Sequence, residues 1–280
     1  MTTTATTTTT TTTATAAQLD GFKQAQKQGW AYFTPLEAIT TPSAARLVKH
    51  ARIHAGQRVL DVACGTGVVA ITAARAGARV TGLDLTPELL ARARDNARVA
   101  EVEIDWHEGD VEQLPFGDAA FDVVVSQYGH MFAPRPDVAV AEMLRVLKPG
   151  GTIAFSTWPT ELLVARAFPL VVRYMPPPPI ALPPPPLWGD PNVIRERLGA
   201  AVTQLVFDRG TLFVSALSLQ HYRDLIERTA GPMVKLVASL GAADPAKLAE
   251  FRREFDALTA DYFEDNLVRQ DYLMTRAVKN

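Results

Sequence analysis

Three aspartates and two glycines carry the clearest chemistry in this 280-residue chain: Asp61, Gly65, Gly67, Asp84 and Asp110. Asp61 lies within R-V-L-D-V-A-C-G-T-G-V-V-A, Arg58 to Ala70. There the apolar Val59, Leu60 and Val62 lead into Gly65 and Gly67, and Val68 to Ala78 has helical composition. That pattern predicts a strand, a tight glycine turn and a helix. Glycines let the backbone approach a ligand, and the free N–H groups of a helix start suit an anionic group. By spacing alone, Gly65, Gly67 and Ala70 satisfy G-x-G-x-x-G/A, the fingerprint of dinucleotide sites, so an NAD(P)-dependent oxidoreductase is one reading. Asp61 argues against it, because a carboxylate just before the turn repels a pyrophosphate across low-dielectric protein. A ligand presenting an ammonium group there gains from the same charge.

S-adenosylmethionine has such an α-amino group, with ribose and adenine further along. The segment V-L-D-V-A-C-G-T-G also resembles the first motif of the class I S-adenosylmethionine-dependent methyltransferases, in their UbiE-like small-molecule branch. The pattern D-x-A/G-C/T-G-T-G is more specific than a bare G-x-G. The resemblance implies that Asp61, Ala63, Gly65, Thr66 and Gly67 surround the cofactor's amino-acid end. Asp84 and Leu85 close R-V-T-G-L-D-L, and Asp84 stands 17 residues beyond Gly67, near the interval at which an acidic side chain meets ribose hydroxyls. A carboxylate can accept from both vicinal hydroxyls. In E-G-D-V-E-Q-L-P-F, Glu108 to Phe116, the resemblance implies that Asp110 bonds the adenine amino group and Val111 packs on the ring.

Phe121 to Ser126, F-D-V-V-V-S, reads as a fully buried strand, with Ser126 counted among the cofactor contacts. Open parallel sheets bind ligands beyond the carboxyl ends of their strands, so the following Q-Y-G-H-M-F, Gln127 to Phe132, is expected to face the transferred methyl group. His130 titrates near neutral pH and is the candidate general base; the plain alternative is a pocket-wall or core histidine. Tyr128 and Gln127 are the candidates for orienting an acceptor. Upstream, Gln18 to Thr40 interleaves Phe22, Trp30, Tyr32 and Phe33 with Lys23, Gln24, Gln26, Lys27 and Gln28. The resemblance implies an N-terminal lid, with Trp30 and Tyr32, together with Met131, touching the substrate. The alternative is ordinary packing of the first helix onto the core.

Other chemistries find less support. The Asn/Asp-Pro-Pro-Tyr sequence shared by methyltransferases of base and glutamine amino groups is missing, as is a strand-end carboxylate of the metal-dependent catechol type. His50 and His54 fall one helical turn apart without a third ligand, so no metal site is expected. Net charge is −2 with no basic run, which marks neither nucleic acid nor an anionic membrane as partner. Cys64 is the single cysteine, which fits a reducing compartment and a cytoplasmic location. No heptad or self-complementary patch indicates an oligomeric state.

These motifs need elements to position them. Residues 1–17, almost all threonine and alanine, read as a disordered tail, and 18–57 as the helical lid, with Thr41-Pro42 opening a helix to about Ile53. Residues 58–158 form the cofactor-binding core: Val102 to Trp106 is the third strand, Thr86-Pro87-Glu88 caps a helix, Asp137 to Leu147 is another, and Thr152 to Trp158 is the fifth strand. The prolines at 176–179 and 183–186 read as a stiff extended excursion; the resemblance implies a substrate cap in 159–200, and the plain alternative is a surface linker. Residues 201–280 then supply a long strand or extended pair, two amphipathic helices and a closing strand at Tyr272 to Val278. The expected fold is a Rossmann-like, doubly wound α/β sheet of seven strands whose last strand is antiparallel, with a helical cap. The expected activity is in-line methyl transfer to a small hydrophobic or aromatic metabolite. The alternatives are a non-methylating binder or pericyclase on the same fold, or the oxidoreductase.

Overall fold

A computed structural model describes residues 14–177 and 180–280. The predicted threonine tail lies outside the described residues except for its last four. Within those, Thr15 caps the first helix through a reciprocal pair with Gln18, and Ala16 and Ala17 already belong to that helix. Pro178 and Pro179 of the proline-rich segment are likewise outside the description.

The chain opens with α1 (Ala16–Trp30), a 3-10 segment (Ala31–Leu36) and α2 (Glu37–His50). The core alternates β1 (Arg58–Val62), α3 (Val68–Arg75), β2 (Arg79–Asp84), α4 (Pro87–Val99), β3 (Asp105–Glu108), β4 (Phe121–Gln127), α5 (Pro136–Val146) and β5 (Leu147–Thr157). Then come α6 (Leu163–Tyr174), α7 (Pro191–Leu198), β6 (Val202–Ser215), α8 (Leu219–Thr229), α9 (Gly231–Ala243), α10 (Pro245–Ala260), β7 (Phe263–Glu264) and β8 (Leu267–Lys279). The strand order is β3-β2-β1-β4-β5-β8-β6, with two-residue β7 paired to β8 as an addition to the seven expected strands. β1 to β5 are mutually parallel, and β8 runs antiparallel between β5 and β6. The sheet is therefore the expected doubly wound one with an antiparallel last strand. Its order reverses between β1 and β4, and ligand crevices in such sheets open at the carboxyl ends of the strands at that switch.

Both faces of the sheet are covered. Ala44, Leu47 and Val48 of α2 and Val69, Ala70 and Ala73 of α3 pack on Val59, Val123, Val125 and Ala154. On the other face Ala139, Val140 and Met143 of α5 and Ile194 and Leu198 of α7 meet Leu60, Val124, Ile153 and Ala277. A separate cluster joins α6, α8, α9 and α10 around Leu163, Met233, Leu236 and Phe251 at the far ends of β6 and β8.

Several boundaries depart from the sequence reading. α2 begins at Glu37, not at Thr41-Pro42; Pro42 lies inside it, while the Thr40 and Thr41 hydroxyls both donate to the Glu37 carbonyl. β3 starts at Asp105 rather than Val102, because its ladder runs only from Thr81–Asp105 to Asp84–Glu108. β5 begins at Leu147, taking in the Lys148-Pro149-Gly150-Gly151 turn as an irregularity opposite Phe121 and Val123. Ala230, in extended conformation, divides the first of the two expected C-terminal helices into α8 and α9.

Trp106 couples the sheet to the glycine turn. Asp61, Gly82 and Trp106 stand abreast on β1, β2 and β3, so their side chains share a face. The indole lies across Gly82, where a Cβ would come within 2.4 Å of the ring, and reaches Gly67, where it would come within 2.6 Å. Gly67 also has φ of +82°, which glycine alone adopts without strain. Gly82→Ala, at an ordinary strand position, is therefore expected to destabilise the fold by about 1–3 kcal/mol through overpacking, read from the urea midpoint.

Candidate cofactor and acceptor site

Two buried carboxylates organise the carboxyl end of β1. Asp61, 1% exposed, accepts from the Ala70 N–H on the first turn of α3 (2.9 Å) through Oδ2, while its buried Oδ1 has no partner. Asp84, 6% exposed, accepts from Gly65 N–H (2.8 Å) and Thr86 N–H (2.8 Å), one on each oxygen. The Asp84 carbonyl in turn accepts from Gly109 N–H (3.0 Å), tying the Asp110 loop to the glycine turn. Burial raises the Asp84 pKa against these amide bonds. Burial also pushes Asp61 up to about 8, with the Ala70 bond opposing and the Asp84 charge adding. Asp61, Ala63, Gly65, Thr66, Gly67 and Asp84 are thus one connected group. The Thr66 hydroxyl is buried without a partner and its carbonyl is held by Asn96, while Leu85 is half-buried beside them.

The turn is conformationally tense. Ala63, Gly65 and Gly67 all have positive φ, and Ala63 does so with a Cβ. Across the switch point Tyr128 is also left-handed, at φ +60°. Between these two sits Gly129, whose hydrogen leaves room for Ala63; a Cβ there would come within 2.5 Å of the alanine methyl. Non-glycine residues persist in this region only where the surrounding structure holds them, commonly at ligand sites.

The residues after β4 do not all face the crevice, contrary to the expectation for Gln127 to Phe132. Ser126 is fully buried, its hydroxyl donating to the Val62 carbonyl (2.7 Å) and accepting from His130 N–H (3.2 Å). It is a latch between β1 and β4 rather than an open cofactor contact. Gln127 donates to the Thr40 carbonyl (3.0 Å), and its Oε1 is left free. Tyr128 stacks on Trp158 at 4.0 Å and meets Tyr272 edge-on at 6.0 Å. Burial holds its phenol well above the ordinary value, so the hydroxyl stays protonated. His130 is 1% exposed, packed against Phe155 and Trp188 at 4.6 Å each, with neither ring nitrogen bonded. Burial, with a contribution from the Arg197 charge, lowers its pKa to about 3. The ring thus lies among apolar side chains, the placement that the pocket-wall or core-histidine alternative describes. Met131 is also buried in that core.

The lid reading divides in the same way. Trp30 packs on Phe132 (4.5 Å) and Phe33 (6.2 Å), and Phe132 on Phe168 of α6 (5.8 Å). These four half-buried rings from α1, the 3-10 segment, the β4 exit and α6 form one aromatic cluster. Tyr32 is 52% exposed and outside it. Phe132 falls within the segment the sequence reading turned toward the methyl group, but Phe168 was not anticipated, since only the fold brings α6 to the β4 exit. The sequence reading also missed ion pairs whose signal was present. Glu108, Asp110 and Glu112 alternate, Lys23 and Lys27 are one helical turn apart, and Lys23 meets Asp110 and Glu112 at 2.6 Å each while Lys27 meets Glu108. Val111 is buried beneath that loop. Among the described residues no group of three or more metal-ligating side chains occurs, and no helix is long and apolar enough to cross a membrane.

A methyltransferase-domain family matches residues 60–155, from inside β1 to inside β5. An uncharacterized protein of Mycobacterium tuberculosis (strain ATCC 25618 / H37Rv) is 37% identical over 255 residues, covering 89% of this chain and 92% of that protein. The ubiquinone/menaquinone biosynthesis C-methyltransferase UbiE of Rubrivivax gelatinosus is 44% identical over 117 residues, 40% of this chain and 45% of its own. Among solved structures, the [4+2]-cyclase SpnF shares the fold with a TM-score of 0.50 at 22% identity, over 85% of this chain and 81% of that one.

The Asp61 pKa of about 8 has a direct consequence for stability. Below the ordinary carboxylate pKa, near 4, Asp61 is protonated in both folded and unfolded chains and its burial carries no charge penalty. As pH rises toward 8 the unfolded chain releases that proton and the folded chain keeps it, so stability falls; above 8 the buried charge persists. In ligand-free protein at pH 8–9, Asp61→Asn is expected to raise unfolding stability by roughly 1–3 kcal/mol, the scale of an unsatisfied buried group, and to flatten the decline between pH 5 and 8. Urea titrations at pH 5 and 8.5 check both.

Proposed function

The chain belongs to the class I S-adenosylmethionine-dependent methyltransferases, and from that premise we propose that it moves the sulfonium methyl group to a small apolar or aromatic acceptor by direct displacement. The observation that carries the reading is Asp61 Oδ1, buried beside the glycine turn with no donor to satisfy it. An α-ammonium group there would supply the missing hydrogen bond, and its positive charge would favour the ionised carboxylate, drawing the raised Asp61 pKa back down. Asp84 has one amide on each oxygen and a lone pair left on each for the ribose hydroxyls. Asp110, 27% exposed at its side chain, is open on one side toward an adenine amino group, with Val111 beneath the ring. The dinucleotide reading of the same glycines gives way to the family match.

S-adenosylmethionine, when bound, supplies an activated methyl on a sulfur that is already a leaving group. What remains for the chain is to exclude water and align the acceptor, and alignment alone reaches about 7–11 kcal/mol in the best intramolecular cases. The aromatic cluster of Trp30, Phe33, Phe132 and Phe168 favours an apolar, planar acceptor. The Gln127 Oε1 and the protonated Tyr128 hydroxyl, both buried and unbonded, are the groups available to fix its polar atoms. With His130 withdrawn into the core, this reading assigns no general base, which suits an acceptor that is nucleophilic as it enters. A second reading, a protein that holds the cofactor without using its methyl, takes its support from the shared fold with a [4+2]-cyclase.

Calorimetric titration is expected to show micromolar binding of S-adenosylmethionine and S-adenosylhomocysteine. Asp84→Ala should weaken it at least about tenfold, the scale of one charge-assisted hydrogen bond. In acceptor screens with labelled methyl, Trp30→Ala should raise KM more than it lowers kcat, and His130→Phe should retain most turnover. Cofactor binding without S-adenosylhomocysteine release across aromatic acceptors would favour the second reading, and loss of all binding would sink both.

A further inference from the structure

The α1 helix is fastened to the loop that carries Asp110. Lys23 Nζ lies 2.6 Å from Asp110 Oδ2 and 2.6 Å from Glu112 Oε2. Glu112 has no exposed side-chain surface, and it also receives the Arg135 backbone N–H (2.5 Å) and the Arg135 Nε (2.9 Å). Lys27, one turn along the same face, pairs with Glu108. Burial alone would lower the Lys23 pKa, but the two carboxylates outweigh it and hold the ammonium above its ordinary value. Two further contacts orient α1: Gln26 donates to the Phe132 carbonyl (3.0 Å) and Lys235 of α9 to the Ala25 carbonyl (2.5 Å).

Three carboxylates within five residues repel one another, and each needs a cation or an amide to hold a single conformation. Asp110 also accepts from Glu112 N–H (2.9 Å) on Oδ1, so Lys23 on Oδ2 completes the restraint on its plane. We propose that Lys23 is a positioning residue for cofactor recognition: it fixes the Asp110 carboxylate for the adenine amino group and couples the seating of α1 to occupancy of the cofactor site. The assignment of Asp110 to adenine rests on the function proposed above; the attachment of α1 through Lys23 does not.

The test compares wild type, Lys23→Met, Lys23→Arg and Asp110→Asn by calorimetry with S-adenosylhomocysteine and with S-inosylhomocysteine, whose base lacks the amino group. Hydrogen exchange of residues 16–30 is followed with and without S-adenosylhomocysteine. Expected for Lys23→Met is about tenfold weaker S-adenosylhomocysteine binding, the equivalent of one charge-assisted bond, with a smaller loss for the inosine analogue. Exchange of α1 should speed up several-fold in that variant and cease to respond to ligand, while Lys23→Arg restores most of both. Lys23→Met binding within twofold of wild type, with α1 exchange unchanged, would overturn the proposal. Asp110→Asn binding like wild type would overturn the adenine part and the cofactor reading of Asp110, and the exchange data still decide the attachment of α1.

Discussion

The structure depends on keeping two carboxylates out of water at the carboxyl ends of β1 and β2. Removing a carboxylate from solvent disfavours its charged form, and backbone N–H groups from Ala70, Gly65 and Thr86 oppose that cost without cancelling it, so both pKa values stay raised. Aiming those groups inward requires the chain to double back within a few residues, hence the left-handed run at Ala63, Gly65 and Gly67. That geometry leaves one oxygen of Asp61 without a donor. The unpaired oxygen costs the ligand-free fold stability, which a cationic ligand bound there on the proposed reading would return.

The strand, turn and helix around Asp61 were legible because their causes are local: an apolar run, glycines at fixed spacing, an alanine-rich helix. Asp84 was legible for the same reason, since one α/β step sets its distance from the turn. Less local features escaped. Pro42 sits near the start of α2 and looks like a first-turn residue, but the 3-10 segment before it feeds straight into Glu37 and moves the start back a turn. The beginning of β3 depends on how far β2 extends alongside it, and no residue between Val102 and Asp105 signals that limit.

The hexapeptide after β4 shows most clearly where pattern reading runs out. A strand end read as continuing extended chain would send alternate side chains into the crevice. Tyr128 instead adopts a left-handed conformation and the chain enters a 3-10 turn at His130. His130 and Met131 are thereby turned into the core, and Phe132 is left in the aromatic cluster beside Trp30. The most reactive residue type in the segment is thus its least available one, and aromatic surface takes the place where a base was expected.

The same economy of contacts governs the entrance. Lys27 and Glu108 are partly exposed, and pairs of that kind contribute at most about 1 kcal/mol. Lys23 and Glu112 are nearly dry, so separating them leaves an unpaired charge in a poor solvent, which is far more costly than the pair is favourable. The far side of α1 is also closely held: Gly29 lies against Gly231, where a Cβ would come within 2.6 Å of the Gly29 carbonyl oxygen, and Lys235 grips Ala25. Lifting helix α1 from the acidic loop would therefore break the Lys23 contacts and the packing on α9 together. On the proposal above Lys23 stays on Asp110 Oδ2, and an adenine amino group would add a donor to a carboxylate whose plane is already fixed, so the contact that seats α1 would also shape the recognition site.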